Sequence, residues 1–362
     1  MKRKLFALAL ASCMICSLAA CSGGEKPSGG TQTPPPPSSA SQQPTGGTSS
    51  VPETPTYEPA TVRVAYMPNL GSAGSLFVGI EQGYFEEVGL TVQTFEFQGG
   101  PAEIAAMGSK DIDIAQIGHG AHALCIEGQA VIFQMDHTTS LSDEVIANRS
   151  KGIEKAEDLK GKTVAVGSGT SSEIILHEVL SRAGLTLDDV NTVEMTNDGM
   201  TTAMIGNQVD ACAAWSPNTV ILKEAMGDNY LKLGGNADFL DEAIFPSSYI
   251  TTKDYADANR DILVRFATAL NKAHDYRNAN QEEMAKLLAA KLDAPEDTMV
   301  QSIGEADWDT ITKICGDMAS IKTVYETQQK VFIENGRITE EVPAENYVLF
   351  DVMQEAYNAY SK

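Results

Sequence analysis

Apolar strand patterns and amphipathic helix patterns alternate along residues 61–226, and the chain runs through the same alternation twice. In the first run, a helix that ends near Met107 is followed by a strand over residues 112–117. In the second, a helix that ends near Ile205 is followed by a strand over residues 209–214. Alternating strands and helices are typical of α/β folds with mainly parallel sheets. The repeat therefore predicts two lobes of similar plan that face each other across a cleft, with a single large sheet as the alternative.

The rest of the chain, from Tyr255 onward, has a mainly helical pattern. Helix-like segments cover residues 259–276, 281–292, 307–318, 323–335 and 344–360. We expect these helices to cover the outer faces of the sheets. Residues 61–362 together are numerous enough for one large or two medium domains with a substantial buried core.

The first residues of the chain carry the signs of export. A basic start at residues 1–4 is followed by an apolar stretch, residues 5–20, that is too short to span a bilayer comfortably and ends in small residues before Cys21. This pattern resembles a bacterial lipoprotein signal, which implies cleavage before Cys21 and lipidation of its thiol. We therefore predict a signal peptide over residues 1–20 and a mature chain anchored by lipid to the outer face of the cell membrane. An ordinary secretory signal with an incidental cysteine is the alternative.

Residues 21–60 are rich in Pro, Ser, Gly and Thr and almost without apolar side chains, so we expect a disordered tether there. Removal of the signal leaves 23 basic against 49 acidic residues, a formal charge of −26. Such a charge repels nucleic acid and favours solubility, and we expect a monomer without a nucleic-acid partner. The remaining cysteines, Cys125, Cys212 and Cys315, are odd in number and lie in apolar surroundings, which indicates buried thiols.

In open α/β sheets, ligands bind beyond the carboxyl ends of the strands, where helices begin with unpaired amides. The residues at those predicted positions are small, polar or aromatic. The candidate ligand-binding residues are Asn69, Ser72, Gln98, His119, Thr170, Ser171, Ser172, Asp198, Trp215 and Tyr249.

Two of these positions have competing interpretations. The start of the helix at Thr170 could hold an anion with its hydroxyls and amides, but Thr170 and Glu173 also fit a capping box, and both roles can coexist. Trp215 follows a strand of small residues, which predicts an indole at the floor of the cleft, where it could stack on a ligand. A tryptophan of the core is the alternative there, and it is the interpretation that we adopt for Trp308.

The sequence predicts no metal, no cofactor and no enzyme. His119 and His122 have a spacing that metal ligands can use, but no cluster of Cys, Asp or Glu accompanies them. Nucleophile elbows, Walker loops and paired catalytic carboxylates are also absent from the sequence. No Lys or Arg falls within the strand-end segments, whereas Glu173 and Asp198 could receive an amino group. A zwitterion such as an aminosulfonate and a neutral heterocycle both fit this pattern.

Four segments, residues 81–90, 110–115, 158–166 and 209–217, resemble the nitrate/sulfonate/taurine family of ABC-importer solute-binding proteins, which also includes binders of the thiamine pyrimidine precursor. The resemblance implies a two-lobed type II periplasmic-binding fold with mainly parallel sheets and a helical C-terminal part. By the same resemblance, the first lobe comprises residues 61–146 and 250–362, and the second comprises residues 147–249. The chain would cross between them near residues 145–147 and 248–250.

The function that the resemblance implies is that of an extracytoplasmic subunit that captures a small polar molecule and delivers it unaltered to a permease and its ATPase. The molecule would be sulfonate-like, taurine-like or another small organic solute. The residues after the first strand, the helix start at residues 170–172 and Trp215 would line the cleft. Basic residues that some members use for anions have no counterpart in these segments. The alternatives are a binder of a thiamine-pyrimidine-type heterocycle, an exported enzyme with the same fold, with Asp198 or His119 as its catalytic residue, and a sensing lipoprotein.

Overall fold

The computed structural model describes residues 57–361. The predicted signal peptide, the lipidation site Cys21 and the predicted tether up to residue 56 lie outside the described residues. Within residues 57–361, none of the helices combines the length and the apolar character needed to cross a bilayer.

The strands form two sheets. They are β1 (Ala60–Tyr66), β2 (Leu90–Glu96), β3 (Ile114–Ile117), β4 (Val131–Thr139), β5 (Glu144–Asn148), β6 (Thr163–Val166), β7 (Asn191–Glu194), β8 (Ala211–Ala214), β9 (Tyr230–Gly235), β10 (Pro246–Thr251) and β11 (Ala306–Asp307). The first sheet has the order β11-β4-β10-β3-β1-β2, and the second has the order β7-β6-β8-β5-β9.

The two sheets share one plan, which confirms the predicted repeat. A central strand, β1 or β6, pairs in parallel with β2 and β3 or with β7 and β8. Next comes an antiparallel strand, β10 in the first sheet and β5 in the second, and beyond it β4 or β9. Most strands of each sheet therefore point in the same direction, as predicted, but the sheets contain both parallel and antiparallel strand pairs. The reason is that β5 and β10 each enter from the other sheet and run against both neighbours.

The helices flank these sheets. They are α1 (Leu70–Glu81), α2 (Tyr84–Glu87), α3 (Gly100–Gly108), α4 (His122–Ile126), α5 (Ser171–Arg182), α6 (Asn197–Ile205), α7 (Asn218–Met226), α8 (Lys253–Ala258), α9 (Arg260–Ala279), α10 (Gln281–Lys291), α11 (Glu296–Gln301), α12 (Asp309–Ile314), α13 (Met318–Glu334) and α14 (Phe350–Tyr360). The predicted helical C-terminal part is confirmed. The first helix begins at Leu70, because the Asn69 side chain caps it by accepting the Ser72 N–H at 2.8 Å.

Both passages between the sheets come earlier in the chain than predicted. Val145 and Ile146 already pair with β8 in the second sheet, and all of β10 lies in the first. The chain therefore passes between the sheets at residues 140–143 and 236–245. Residues 145–147 belong to the first strand after the first passage, and residues 248–250 belong to the first strand after the second. The division into lobes stays a prediction.

Apolar side chains fill the space between sheets and helices. Trp308 is buried in the cluster that contains Phe266, beneath the first sheet, which confirms its interpretation as a core tryptophan. Cys125 and Cys212 are buried free thiols, and Cys315 is a half-buried one.

Candidate ligand-binding site

A cavity of about 50 Å³ lies between the strand ends of the two sheets. Six of the ten predicted ligand-binding residues line it: Asn69, Ser72, His119, Thr170, Ser171 and Trp215. They follow β1, β3, β6 and β8, so the carboxyl ends of strands in both sheets converge on one space.

Gln98 and Asp198 lie beside this cavity rather than in it. They line a neighbouring pocket of about 230 Å³, which shares Met67, Asn69 and Trp215 with the cavity. Both side chains are exposed, and Asp198 accepts a hydrogen bond from the Asn218 amide at 3.0 Å. Trp215 therefore borders both spaces.

Ser172 and Tyr249 do not line the cavity, contrary to prediction. The Ser172 hydroxyl is buried, donates to the Ala213 carbonyl at 2.6 Å and accepts the Gly167 N–H at 3.1 Å, so it joins α5 to β8. A register shift between Ser247 and Ser248 in β10 leaves Ser247 at the cavity, while Tyr249 is fully buried against Phe266. We therefore assign structural roles, not ligand contacts, to Ser172 and Tyr249.

The start of α5 already carries negative charge, which disfavours the predicted anion site. Glu173 accepts the Gly169 N–H at 2.9 Å, and Thr170 accepts the Ser172 N–H at 3.2 Å. The Ser171 hydroxyl donates to Asp143 at 2.5 Å. Two carboxylates thus occupy the position at the helix N-terminus that a bound anion would take.

Asp143 is the first residue that sequence reasoning missed. It lies in the passage from the first sheet to the second, is 1% exposed and lines the cavity. Burial raises the pKa of Asp143 to about 6, against the hydrogen bond from Ser171. Within the described part of the chain its second oxygen, Oδ2, has no hydrogen-bond partner, and it lies 3.9 Å from His119 Nε2.

Glu305 is the second missed residue. It precedes β11, is 5% exposed and accepts the Gly71 N–H at the start of α1 at 2.6 Å. Burial raises the pKa of Glu305 to about 8, opposed by the Gly71 hydrogen bond and reinforced by the charge of Asp143. Its Oε2 atom is buried and lacks a hydrogen-bond partner among residues 57–361. No sequence spacing links Glu305 with Asp143, so only the fold could reveal the pair.

A buried network fixes the polarity of the cavity wall. Asp136 accepts hydrogen bonds from Arg277 and His274, both at 2.8 Å, and from Gln116 and His137, both at 3.2 Å. Burial alone would raise the pKa of Asp136, but the positive charge of Arg277 and the hydrogen bonds of His137 and His274 hold it well below its usual range.

Asp136 is therefore a carboxylate that only accepts hydrogen bonds, which orients two side chains of the cavity. His137 must donate from Nδ1, and since burial lowers its pKa, the ring is neutral and keeps a lone pair on Nε2. Gln116 donates from Nε2, and its Oε1 atom has no hydrogen-bond partner within the described residues. Both residues line the cavity and offer it acceptor atoms.

Cations of the protein do not reach the cavity. None of its lining residues, all within the described part of the chain, is Lys or Arg. Burial lowers the pKa of His119 to about 3, so this ring is neutral too. His122 is hydrogen-bonded to Gln328 at 2.8 Å, and no group of three or more His, Cys, Asp or Glu among residues 57–361 could hold a metal ion.

The comparisons with known proteins agree with this geometry. A family model described as NMT1/THI5 like matches residues 72–284. A relative from Brucella abortus (strain 2308), named only as a binding protein, is 28% identical over 80% of this chain and 90% of its own. The alkanesulfonate-binding protein of Xanthomonas axonopodis pv. citri, solved bound to MOPS, matches with a TM-score of 0.66 at 18% identity, over 81% of this chain and 99% of that one. The desulfurization enzyme DSZB matches with a TM-score of 0.60 at 14% identity, over 83% of this chain and 99% of that one.

Proposed function

The chain belongs to the NMT1/THI5-like family and has the fold of the periplasmic binding proteins; from this premise, we propose that it is the extracytoplasmic solute-binding subunit of an ABC importer. It captures a small polar organic molecule and delivers it unaltered to a permease and its ATPase. The observation that carries this proposal is the cavity that strand-end residues of both sheets line together.

The proposed mechanism is capture by closure. Two lobes, essentially residues 61–146 with 250–362 and residues 147–249, move about the passages between the sheets. A ligand that contacts both lobes stabilises the closed arrangement by its differential affinity for it, and the closed form docks on the permease. Gly120, after β3, and Thr170, at the start of α5, lie in direct backbone contact, which is the approach that closure requires.

The proposed location is the outer face of the cell membrane. Its support is the lipoprotein-like signal, with Cys21 as the lipidated residue and residues 21–56 as the tether, shorter than predicted because Ala60 already belongs to β1 and Glu58 accepts a hydrogen bond from Arg265. Such a tether keeps a monomeric binder close to its permease at a high effective concentration.

Two classes of ligand fit the cavity. Taurine-like compounds and thiamine-pyrimidine-type heterocycles both carry amino groups that suit a cavity lined by acceptors. A plain nitrate or sulfonate would face Asp143 and Glu305 without a cation of the protein. We favour a binder over an enzyme, although the fold also occurs in an enzyme.

A thermal-shift screen tests the function. Taurine, alkanesulfonates, nitrate, aromatic carboxylates and aminopyrimidines are added to the purified chain, and a true ligand at 100 times its Kd stabilises it by about 2.7 kcal/mol. We expect small-angle scattering to show compaction with that ligand and mass spectrometry to recover it unchanged. Turnover of the ligand would make the chain an enzyme, and binding without compaction would contradict closure.

Replacing Trp215 with phenylalanine is expected to weaken binding of the best compound about tenfold, a loss of about 1.4 kcal/mol. The indole is 8% exposed and borders both the cavity and its neighbouring pocket. Phenylalanine keeps most of the packing against Met200 and Leu222, so the unliganded chain stays folded. Isothermal titration measures the affinity, and urea denaturation without ligand checks that the variant is as stable as the unaltered chain. Unchanged affinity in Trp215→Phe would make Trp215 a core residue only.

A further inference from the structure

We infer that the ligand is an organic cation with at least two N–H donors, an amine or an amidine, whose charged group lies between Asp143 and Glu305. This inference rests on the proposed function, because it names the ligand class of the same cavity. It starts from two carboxylate oxygens, Asp143 Oδ2 and Glu305 Oε2. Both are buried, and neither has a hydrogen-bond partner among the described residues.

Burying an acceptor without a partner is costly, and burying a carboxylate without one costs more. One oxygen of each carboxyl group accepts a short hydrogen bond, in Asp143 from the Ser171 hydroxyl and in Glu305 from the Gly71 N–H. Opposing the effect of burial, the side chains of Asn236 and Ser216 also lower the pKa values of Asp143 and Glu305, respectively. The other oxygen of each belongs to a residue that lines the cavity. A donor supplied by a ligand would satisfy both.

No cation of the protein reaches either oxygen, because none of the residues that line the cavity is Lys or Arg. Arg277 is fully buried, and it donates from Nη1 to Asp136 and from Nη2 to the Asp136 carbonyl. Burial lowers the pKa values of His119 and His137, and His137 Nε2 and Gln116 Oε1 add two acceptors to the wall. The buried wall therefore lacks a positive charge, which a ligand can supply.

An anion does not suit this site. A bound anion would meet the like charge of Asp143, and no Lys or Arg lines the cavity to offset that repulsion. A metal ion does not suit it either, because no group of three or more ligating side chains exists in the described range. An organic cation matches both the charge and the number of acceptors.

The dimensions indicate where the rest of the ligand lies. A cavity of about 50 Å³ takes only a small head group, whereas the neighbouring pocket of about 230 Å³ can take a larger body. Trp215 lies between the two spaces. Its ring can pack against the apolar part of the ligand or against its charged group.

Three small probes of one shape test the charge. Acetamidinium, acetamide and acetate have the same planar arrangement of heavy atoms and differ in being a cation, neutral and an anion. We expect acetamidinium at millimolar concentration to raise the melting temperature of the purified chain and to bind in isothermal titration at least tenfold more tightly than acetamide. Acetate is expected not to bind.

Variants of the two carboxyl groups locate the binding. Above pH 8, where both carboxyl groups are ionised, Glu305→Gln and Asp143→Asn are each expected to weaken acetamidinium binding at least tenfold. Both substitutions are neutral and nearly isosteric, so the fold is retained. Glu173→Gln is the matched control. It removes a carboxylate at the same helix start that does not line the cavity, and affinity should not change.

The pH dependence distinguishes pairing with Glu305 from simple proximity. Only the ionised carboxyl pairs with a cation, and the pKa of Glu305 is about 8, so affinity should rise from pH 6 to pH 8 by up to about tenfold per unit. Binding should release a proton, seen as a heat that depends on the buffer. Asp143 titrates near pH 6, with Glu144 beside it, and burial lowers the pKa values of both His137 and His119, that of His119 to about 3. In Glu305→Gln only the smaller rise due to Asp143, about twofold between pH 6 and pH 8, should remain.

Equal binding of acetamide and acetamidinium, binding of acetate, or no binding of any probe would overturn the inference. Failure here is distinguishable from failure of the proposed function. A nitrate or sulfonate that binds in the screen and compacts the chain would keep the transport proposal and reject the cation. A chain that neither binds nor compacts with any compound would reject both.

Discussion

Replacing Gly120 with alanine is expected to weaken ligand binding by about 5- to 150-fold and to leave the fold intact. A Cβ atom on Gly120 would lie 2.1 Å from the carbonyl carbon of Thr170 and 2.5 Å from the nitrogen of Ser171. These are backbone atoms, so no side-chain rotation can relieve the overlap. The turn after β3 and the start of α5 would have to separate.

Overpacking of this kind costs about 1–3 kcal/mol, which corresponds to the stated loss in affinity. The cost falls on the closed arrangement, since His119 on one segment and Thr170 and Ser171 on the other line the same cavity. The overlap lies in the turn after β3 and at the start of α5, not within a strand of either sheet, so the unliganded chain should unfold cooperatively as before. Isothermal titration with the best compound of the screen measures the loss, and a red shift of the tryptophan emission would report exposure of Trp215.

The control for this substitution is Gly108→Ala. Gly108 ends α3 on the exposed surface, and a Cβ atom there would meet nothing within 4 Å. Alanine at this position should bind as tightly as the unaltered chain. If Gly120→Ala also binds that tightly, the contact with α5 is not part of the bound state and the closure mechanism is wrong.

Local pattern was sufficient to predict the plan of the sheets and one half of the site. Asn69, His119 and Trp215 each follow a strand directly, and parallel strands bring their carboxyl ends to one edge. Their convergence on the cavity therefore follows from the alternation of strand and helix patterns alone. The repeat of that alternation also predicted that a second sheet would present Thr170 in the same way.

The acidic half of the site could not be predicted in this way. Asp143 lies in a passage between sheets, and Glu305 lies in a short turn of the helical part, so neither stands at the end of a strand of the repeat. Their charges act together only because Gly71 and Ser171 hold them on one cavity. A pairing of this kind is set by tertiary structure and leaves no spacing in the sequence.

Tyr249 and Arg277 show two further limits. Register shifts in β10, between Ser247 and Ser248 and between Tyr249 and Ile250, change which side chains reach the cavity, and such bulges have no strong signal in a strand of six residues. Arg277 stands in the last turn of a long helix, where a basic residue usually faces solvent and favours the helix dipole. Its complete burial depends on Asp136, which is distant in sequence.

Replacing Arg277 with methionine is expected to lower the free energy of unfolding by about 3–5 kcal/mol, the cost typical of breaking a buried ion pair from one side. Asp136 and Arg277 are both fully buried, so the substitution leaves a carboxylate without its countercharge. Urea denaturation at pH 7 measures the change. Arg260→Met in the same helix is the matched control, since Arg260 pairs with Asp351 and Glu355 at the surface and should cost about 1 kcal/mol or less.

The deficit of Arg277→Met should also depend on pH, with a sign fixed by Asp136. Arg277 and the hydrogen bonds of His137 and His274 outweigh the effect of burial, so the folded-state pKa of Asp136 lies well below its usual range. The ionised carboxyl therefore stabilises the folded chain at neutral pH, and this stabilisation is lost as acid protonates it. Without Arg277 that pKa rises, and the two proteins should approach each other in stability as the pH falls toward 4. Adding Asp136→Asn to Arg277→Met should recover part of the loss at pH 7. Two results would contradict this account: equal losses of unfolding free energy in Arg277→Met and Arg260→Met, or a loss in Arg277→Met that does not depend on pH. Either result would mean that packing, not charge, stabilises the network. The fixed orientation of His137 and Gln116 at the cavity would then need another cause.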